Sequence, residues 1–240
     1  MRIFITGSNR GIGLEFAKQY LERGERVFAS CRNPINANEL QHLWKTYINQ
    51  LTILPLDVTN EEAIKAATQT VKSHTDGIDL LINNAGIGTR ELSIDENDKL
   101  STFGKLDHKK LLNMIEVNAI APVMVTQQFH DLLLKGNNPK VINISSIQGS
   151  IDHNSSGGSY GYKASKAALN MYSKTLANDL LPEKIYTMMF HPGWVQTDMG
   201  GQSASLTPEE SVSNMIDLID GFGKAQTGRF FNYNGKELEW

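Results

Sequence analysis

The sequence predicts an α/β fold, a doubly wound parallel sheet of about seven strands with helices on both faces. Short apolar runs, typical of buried strands, alternate along the chain with longer segments of helical periodicity. Strands and helices that alternate strictly form a parallel sheet covered by helices. A glycine-rich turn after the first apolar run agrees with this fold, because such turns connect a strand to a helix in sheets of this kind.

The apolar runs predict strands over residues 2–6, 26–31, 51–56, 78–83, 139–145, 184–191 and 228–233. The helical patterns lie at residues 11–23, 36–49, 60–75, 107–135, 159–181 and 207–222. No Pro-, Gly- or Ser-rich linker interrupts them, so residues 1–240 are expected to form a single domain. Sheets of this class bind ligands at the carboxyl ends of their strands, and polar motifs follow strands one, three, four and five.

The composition excludes several classes of function. With a net charge of −3, the whole-protein field gives no reason to expect nucleic acid or an anionic membrane as a partner. The most apolar long segment, residues 111–134, contains Glu116, Asn118, Pro122 and Asp131, which argues against a membrane span. The single cysteine, Cys31, excludes an internal disulfide, and no Cys/His cluster has zinc-ligand spacing. We therefore expect a cytoplasmic protein without a catalytic metal.

The first predicted strand ends in a turn whose glycines are spaced G-x-x-x-G-x-G. Glycines let the backbone turn tightly and approach a pyrophosphate, and the N-terminus of the following helix offers free N–H groups to the anion. The alternative is a glycine-rich turn that binds nothing. The predicted dinucleotide-binding residues of this turn are Gly7, Asn9, Arg10, Gly11, Ile12 and Gly13.

The end of the second strand predicts which dinucleotide binds. In dinucleotide-binding folds, an acid about 20 residues beyond the glycines binds the ribose 2′-hydroxyl. Here Arg32 occupies that region and the strand end carries no acid. A guanidinium binds a 2′-phosphate through paired charge-assisted hydrogen bonds, and Arg10 supplies a second cation. NADP(H) is therefore the expected cofactor, and the alternative is that Arg32 is a solvated loop residue.

Tyr162 and Lys166 are four residues apart in a predicted helix, so they lie about one turn apart on one face. A phenol has an ordinary pKa of about 10, which makes it a poor proton shuttle near neutrality. A cation held close to a phenol favours the phenolate and lowers that pKa. The pair therefore predicts a proton donor with its own tuning charge. Tyr160 has no such partner, because position 164 is Ala.

In this order, the glycine turn and the Tyr-Lys pair resemble the short-chain dehydrogenase/reductase family. The resemblance extends over essentially the whole chain and implies one NAD(P)-binding Rossmann domain at residues 1–240. Residues 191–200 and 231–240 are similar to the subgroup that contains sniffer-type carbonyl reductases and the C-factor signalling protein. Asp57 and Val58 match the family's D-V turn, and Asn84, Ala85 and Gly86 match its N-N-A-G turn. Asn118 matches the helix asparagine, and Ser146 matches the serine strand. The nicotinamide loop is matched by Pro192, Gly193, Val195 and Thr197.

The resemblance implies an enzyme that uses NADPH to reduce the carbonyl group of a small molecule, namely an aldehyde, a ketone or a quinone. Tyr162 is then the general acid, Lys166 holds the nicotinamide ribose, and Asn118 positions a water that returns the proton. Ser146 hydrogen-bonds the carbonyl oxygen, and it is favoured over Ser145 because it aligns with the family serine and its neighbour faces the other side. The alternative function is an NADP-binding signalling or regulatory protein of C-factor type with incidental catalysis.

Several segments outside these motifs carry open interpretations. The polar loop at residues 149–158 is expected to rim the substrate pocket, with His153 either touching substrate or simply exposed. Trp194 either forms a pocket wall or packs beneath its loop, and the polar segment 87–106 could fold over the active site. The long apolar helices at residues 107–135 and 159–181 predict a homodimer through a four-helix contact, as the resemblance to many relatives implies. The alternatives are a monomer, the state of some carbonyl reductases in the family, and a tetramer.

Overall fold

In the computed structural model, which describes residues 1–88 and 102–240, seven strands form one parallel sheet. The strands are β1 Arg2–Thr6, β2 Arg26–Cys31, β3 Leu51–Pro55, β4 Leu80–Asn83, β5 Lys140–Ile144, β6 Tyr186–His191 and β7 Phe230–Asn232. Their spatial order is β3-β2-β1-β4-β5-β6-β7, and every neighbouring pair is parallel. The predicted doubly wound parallel sheet is therefore confirmed.

Seven α-helices connect the strands within the described ranges. They are α1 Gly11–Glu22, α2 Asn38–Thr46, α3 Glu61–Lys72, α4 His108–Ile115, α5 Ala121–Leu133, α6 Tyr160–Leu180 and α7 Pro208–Gly221. Helix α2 is shorter than the predicted 36–49, because Pro34–Asn36 forms a separate 3₁₀ turn before it. Most of the segment 87–106, which could fold over the active site, lies outside the described residues.

The predicted helix over residues 107–135 is interrupted, which corrects the sequence-based expectation. A π-helical turn, Glu116–Ile120, separates α4 from α5. The physical reason is Pro122, which lacks the N–H that would donate to the carbonyl of Asn118 four residues earlier. Turns of this kind are frequent at functional sites, and Asn118 lies buried within this one.

Alternation along the strands sends buried side chains to two faces of the sheet. Ile3 and Ile5 pack with Phe16 of α1 on one face. Phe4 points the other way and meets Phe129 of α5, with ring centroids 4.2 Å apart. Each such fully buried side chain contributes about 1.5–3 kcal/mol of hydrophobic stabilisation. The two cores hold the strand ends in fixed register, which positions the turns at the carboxyl edge.

The sheet order reverses between β1 and β4, because the chain winds outward in one direction from β1 and in the other from β4. Ligands of open α/β sheets bind at such a point. No helix in residues 1–88 and 102–240 is long and apolar enough to cross a membrane. The same residues contain no group of three or more His, Cys, Asp or Glu side chains placed to hold a metal ion.

Candidate active site

A cleft of about 380 Å³ lies at the carboxyl edge of the sheet, with walls from the segments that follow β1 to β6. Most of the residues predicted to bind cofactor or substrate meet there, although they are spread over nearly 200 positions. Those that line it are Gly7, Asn9, Arg10, Gly11, Ile12, Arg32, Asp57, Val58, Asn84, Ala85, Gly86, Tyr162, Lys166, Pro192 and Thr197. The predicted residues that do not line it are Gly13, Asn118, Ser146, Gly193 and Val195.

The glycine turn after β1 has no room for side chains. Gly7 has a φ of 68°, and a Cβ there would lie 2.8 Å from the Cα of Ala85. At Gly13, a Cβ would lie 2.3 Å from both Asn84 Nδ2 and Gly7 O. Glycine is therefore required by backbone conformation at the first position and by close packing at the second. The result is a bare backbone facing the cleft at the N-terminus of α1, as an approaching pyrophosphate needs.

Hydrogen bonds lock this turn to the one after β4. The N–H groups of Asn84 and Ala85 both donate to Thr6 Oγ1 at 3.0 Å. Asn84 Nδ2 donates to the carbonyl oxygens of Thr6 and Gly7, also at 3.0 Å. Asn84 thus acts mainly as a brace between two walls of the cleft. Asp57 Oδ1 braces a third wall by accepting bonds from the N–H and the hydroxyl of Thr59.

Two arginines face the cleft from different walls. Arg32 follows β2 directly, is exposed, and forms no ion pair within the described residues. Arg10 is the N-cap residue of α1, and its Nη1 lies 2.5 Å from Asp198 Oδ2. The two cations predicted for a 2′-phosphate are therefore in different states, one solvated and one ion-paired.

Lys166 is buried beside Tyr162 on α6. Only 6% of Lys166 is exposed, and its Nζ donates to the carbonyl of Ile144 at 2.8 Å. The Nζ lies 5.8 Å from the centroid of the half-buried Tyr162 ring. Burial lowers the pKa of Lys166 to about 8, because the charged form is disfavoured away from water. The ammonium still predominates at neutral pH.

Asn118, in the π-helical turn, lies behind the cleft wall and clamps it. Its Oδ1 accepts from the N–H of Ile87, and its Nδ2 donates to the carbonyl of Ile87, both at 2.8 Å. Nδ2 also donates to Ser165 Oγ at 3.0 Å. A Cβ on Gly86 would lie 3.2 Å from Asn118 Oδ1 and 3.7 Å from Lys166 Nζ. The N-N-A-G turn, Asn118 and Lys166 therefore form one packed unit.

The two serines after β5 have different partners. Ser145 contributes to the cleft wall, but its hydroxyl donates to Asn170 Oδ1 at 2.6 Å within the core. Ser146 caps the 3₁₀ turn Ile147–Gly149, where its Oγ accepts from the N–H of Gln148. Accepting that bond leaves the Ser146 hydroxyl proton able to donate to another group. The geometry is thus compatible with the preference for Ser146, although Ser146 does not line the cleft.

Comparisons with known proteins agree with this architecture. Residues 1–206 match the model of the family described as short chain dehydrogenase. This protein belongs to the short-chain dehydrogenase family. Solved structures similar to it include an NADPH-bound carbonyl reductase from chicken fatty liver, with 35% identity, a TM-score of 0.91 and coverage of 100% of this chain and 98% of that one.

A second similar structure is the carbonyl reductase Sniffer of D. melanogaster, with 36% identity, a TM-score of 0.92 and coverage of 100% and 99% of the two chains. Among curated proteins, C-signal of Myxococcus xanthus is 39% identical over 166 residues, which cover 69% of this chain and 95% of that protein. The resemblance to the sniffer-type subgroup, predicted from residues 191–200 and 231–240, is confirmed.

The loop after β6 separates wall residues from supporting residues in this short-chain dehydrogenase. Gly193 has a φ of 84°, and a Cβ there would lie 2.4 Å from Leu206 Cδ1. Val195 is buried and pairs with Leu206 through an isolated bridge. Trp194 is exposed, and its indole N–H donates to the carbonyl of Gly200 at 2.8 Å. Trp194 therefore does not pack beneath the loop, and its place in a wall of the substrate pocket stays a prediction.

The polar loop 149–158 is held at its far end by Lys163, the residue after Tyr162. Lys163 Nζ donates to Asn154 Oδ1 at 2.8 Å and to the carbonyl and hydroxyl of Ser156 at 2.7 and 3.1 Å. His153 is exposed and hydrogen-bonds Ser150 Oγ through Nδ1 at 3.0 Å. Lys163 thus connects the loop directly to the helix that carries the Tyr-Lys pair.

Some cleft residues were not predicted from the sequence. Asn113 and Val117 lie one helical turn apart on the segment that leads to Asn118, and the sequence carries no separate signal for them. Asp198 and Met199 follow the predicted Thr197 directly, and continuing along the same loop could have found these two. Asp198 is the most consequential of the four, because it is the ion-pair partner of Arg10.

Proposed function

We propose that this protein is an NADPH-dependent oxidoreductase that reduces the carbonyl groups of aldehydes, ketones or quinones. The observation that carries the proposal is the buried ammonium of Lys166, placed beside Tyr162 at the cleft wall. Burying an ammonium without a carboxylate partner costs free energy, and Lys166 has no such partner among the described residues. The buried charge has a function if it lowers the pKa of the neighbouring Tyr162 phenol.

The cleft walls fit NADP(H), and the NADPH in the chicken enzyme's structure supports this cofactor. The glycine turn and the N-terminus of α1 would hold the pyrophosphate, and Arg10 and Arg32 would hold the 2′-phosphate. Residues 1–240 would thus act as one NAD(P)-binding domain. Asp57 and Val58 would contact the adenine, and Asn84, Ala85 and Gly86 would also contact the dinucleotide. Pro192 and Thr197 would contact the nicotinamide, with Gly193 and Val195 shaping the loop that carries them.

Bound NADPH supplies the hydride that reduces the carbonyl carbon. As negative charge grows on the carbonyl oxygen, Tyr162 donates its phenolic proton to that oxygen as general acid. Lys166 makes the donation easier, because a cation in a site of low dielectric strongly favours the phenolate. Lys166 would also hold the nicotinamide ribose hydroxyls, which would replace its present bond to the Ile144 carbonyl.

Ser146 and Asn118 complete the proposed site. The Ser146 hydroxyl would hydrogen-bond the carbonyl oxygen as charge develops there. The side chain of Asn118 is engaged by Ile87 and Ser165, so the water that returns the proton would bind its backbone carbonyl. Pro122 cannot donate to that carbonyl because it has no N–H. The interrupted helix therefore has a role in the proposed proton path.

The proposal is tested by following NADPH oxidation by absorbance with a panel of aldehydes, ketones and quinones. We expect turnover with at least one of these three classes of substrate. The Tyr160→Phe variant should keep that activity. Tyr160 is a suitable control because its ring contacts Phe103, 6.4 Å away, and position 164 offers it no ammonium. Tight NADPH binding with no turnover across the panel would contradict the enzymatic proposal.

The second candidate is an NADP-binding signalling or regulatory protein with incidental catalysis. The identity to C-signal is the observation that favours it. A binding module needs the glycine turn, whereas it has no use for a buried Lys166 next to a tyrosine. The Tyr162→Phe variant distinguishes the two candidate functions. It would lose carbonyl reduction, but it would keep a signalling role that depends only on cofactor binding.

We also propose that the protein is a cytoplasmic homodimer with a small-molecule substrate. Large apolar side chains are exposed on the predicted four-helix contact, namely Leu112, Ile120, Met171 and Tyr172. Covering such a patch with a second copy would remove it from water. Light scattering at micromolar concentration tests this, and a mass near the 26.7 kDa of one chain would contradict the dimer.

A further inference from the structure

An ion pair joins two walls of the cofactor cleft across 188 positions of sequence. Arg10 comes from the glycine turn after β1, and Asp198 comes from the loop after β6. Their side-chain atoms Nη1 and Oδ2 are 2.5 Å apart, and both residues line the cleft. The backbone of Gly11 also lies close to the side chain of Thr197, since a Cβ on Gly11 would be 3.1 Å from Thr197 Cγ2. The two walls therefore touch beside the glycine turn.

Two acids among the described residues, Asp57 and Asp198, line the cleft, and Asp198 pairs with a cation there. Its side chain is 71% exposed, and among the described residues Arg10 is the only cation with which it pairs. A carboxylate at the wall would repel a phosphate unless a cation neutralises it. Arg32, in contrast, faces the same cleft without an ion-pair partner in the described chain. Arg32 can therefore bind a phosphate directly, whereas Arg10 must first break its ion pair with Asp198.

We propose that Asp198 is a specificity-determining residue that competes with the cofactor's 2′-phosphate for Arg10. The inference rests on the proposed function, since it assumes that NADP(H) binds with its 2′-phosphate near Arg10 and Arg32. On binding, the guanidinium transfers from the carboxylate to the phosphate, and Asp198 turns to solvent. A dinucleotide without the 2′-phosphate leaves the Arg10–Asp198 pair intact. Asp198 therefore weakens binding of the phosphorylated cofactor selectively and favours its release.

The direction of this effect distinguishes competition from a structural role. If Asp198 only held the loop in place, its loss would weaken every nucleotide. If Asp198 competes for Arg10, its loss strengthens nucleotides that carry a 2′-phosphate. Exposed ion pairs have coupling free energies that correspond to roughly two- to fivefold in an equilibrium constant. The change is measurable, and low ionic strength enlarges it because salt screens exposed charges.

The experiment measures dissociation constants of 2′,5′-ADP and 5′-AMP by calorimetry for the full chain. The variants are Asp198→Asn, Arg10→Gln and the double variant. Asp217→Asn is the matched control, because Asp217 is also 71% exposed and also pairs with an arginine, Arg23. Arg23 is the C-cap residue of α1, about 20 Å along the helix from Arg10.

We expect Asp198→Asn to tighten 2′,5′-ADP by about two- to fivefold and to change 5′-AMP much less. The tightening should shrink in the Arg10→Gln background, and Asp217→Asn should leave both ligands unchanged. Weaker or unchanged 2′,5′-ADP binding, or an equal gain for both ligands, would overturn the inference. An unmutated protein that binds the two ligands equally would instead overturn the proposed NADP(H) preference, and with it the inference.

Discussion

The ammonium of Lys166 lies 5.8 Å from the centroid of the Tyr162 ring, one helical turn further along α6. Because Lys166 is buried, its charge acts through a medium of low dielectric rather than through water. Burial also lowers its own pKa to about 8, so the charge is present at neutral pH and titrates just above it. This one relationship connects the fold to the proposed chemistry and gives it a pH dependence.

Carbonyl reduction should fall as the pH rises through about 8, because Lys166 then loses the proton that favours the phenolate. A lysine whose folded-state pKa is depressed is charged below that value and neutral above it, so activity lies on the acid side. The measurement is kcat/KM against pH. Lys166→Arg keeps its charge, so any residual activity should lack this fall. Identical alkaline profiles in both proteins would show that Lys166 is not the titrating group.

NADPH should bind at least about tenfold more tightly than NADH, which requires only about 1.4 kcal/mol from charge-assisted bonds. Arg32→Asp should abolish or reverse the preference, because a carboxylate repels the 2′-phosphate. Fluorescence titration of both cofactors measures the ratio. Arg229→Asp is a control for the charge change, since Arg229 is exposed and pairs with Glu237. Equal affinities in the unmutated protein would refute the cofactor assignment.

Because Lys163 holds the 149–158 loop through hydrogen bonds, its loss should affect substrate binding more than the chemical step. Lys163→Met removes all three bonds while keeping most of the length of the unbranched side chain. If the loop rims the substrate pocket, KM for the carbonyl substrate should rise severalfold with a smaller change in kcat. Asn154→Ala, which removes only one bond, should give a weaker effect in the same direction. A large loss of kcat at unchanged KM would place Lys163 in the chemistry instead.

Asp79 should control acid stability without affecting catalysis. It joins β1 to the start of β4, accepting bonds from the Arg2 guanidinium at 2.6 Å and from the N–H groups of Arg2 and Asn137 at 2.7 Å. Burial opposes ionisation, but these bonds and the charge of Arg2 outweigh it and lower the pKa of Asp79. The stabilisation is therefore present above the unfolded-state pKa and is lost as the pH falls through the folded-state value.

Asp79→Asn should reduce the free energy of unfolding at pH 7 by about 1–3 kcal/mol, because hydrogen bonds to a charged group are lost. Urea unfolding at a series of pH values provides the measurement. The gap between variant and unmutated protein should close as the pH falls below about 3.9, the ordinary value for Asp. A gap that stays constant into acid would mean that the Asp79 charge is not the cause.

The sequence predicted the features that depend on local pattern. The apolar runs located all seven strands, and strict alternation with helices determined the parallel order of neighbours. The glycines at positions 7 and 13 were recognisable from their spacing after the first strand, and the structure gives the reason, because a Cβ at either position would lie within 2.8 Å of a neighbouring atom. Residues that follow different strands were expected to meet, because parallel strands present their carboxyl ends at one edge.

Features that depend on long-range packing were not predictable from local pattern. The Arg10–Asp198 pair requires knowing that the loop after β6 folds back onto the glycine turn. The π-helical turn at Glu116–Ile120 is different, because Pro122 is a local signal for the interruption that the predicted continuous helix 107–135 did not take into account. The anchoring of the 149–158 loop by Lys163 was hidden because a lysine on a helix is usually solvated.

The most direct test of the central claim is single-turnover reduction of an accepted carbonyl substrate by the Tyr162→Phe variant with NADPH bound. Loss of the proton donor alone should lower the rate by about 10² or more, while the dissociation constant of NADPH stays nearly unchanged. Tyr160→Phe, the matched control two residues away, should keep its rate. A Tyr162→Phe variant that retains most of its carbonyl-reducing activity would contradict the proposed mechanism.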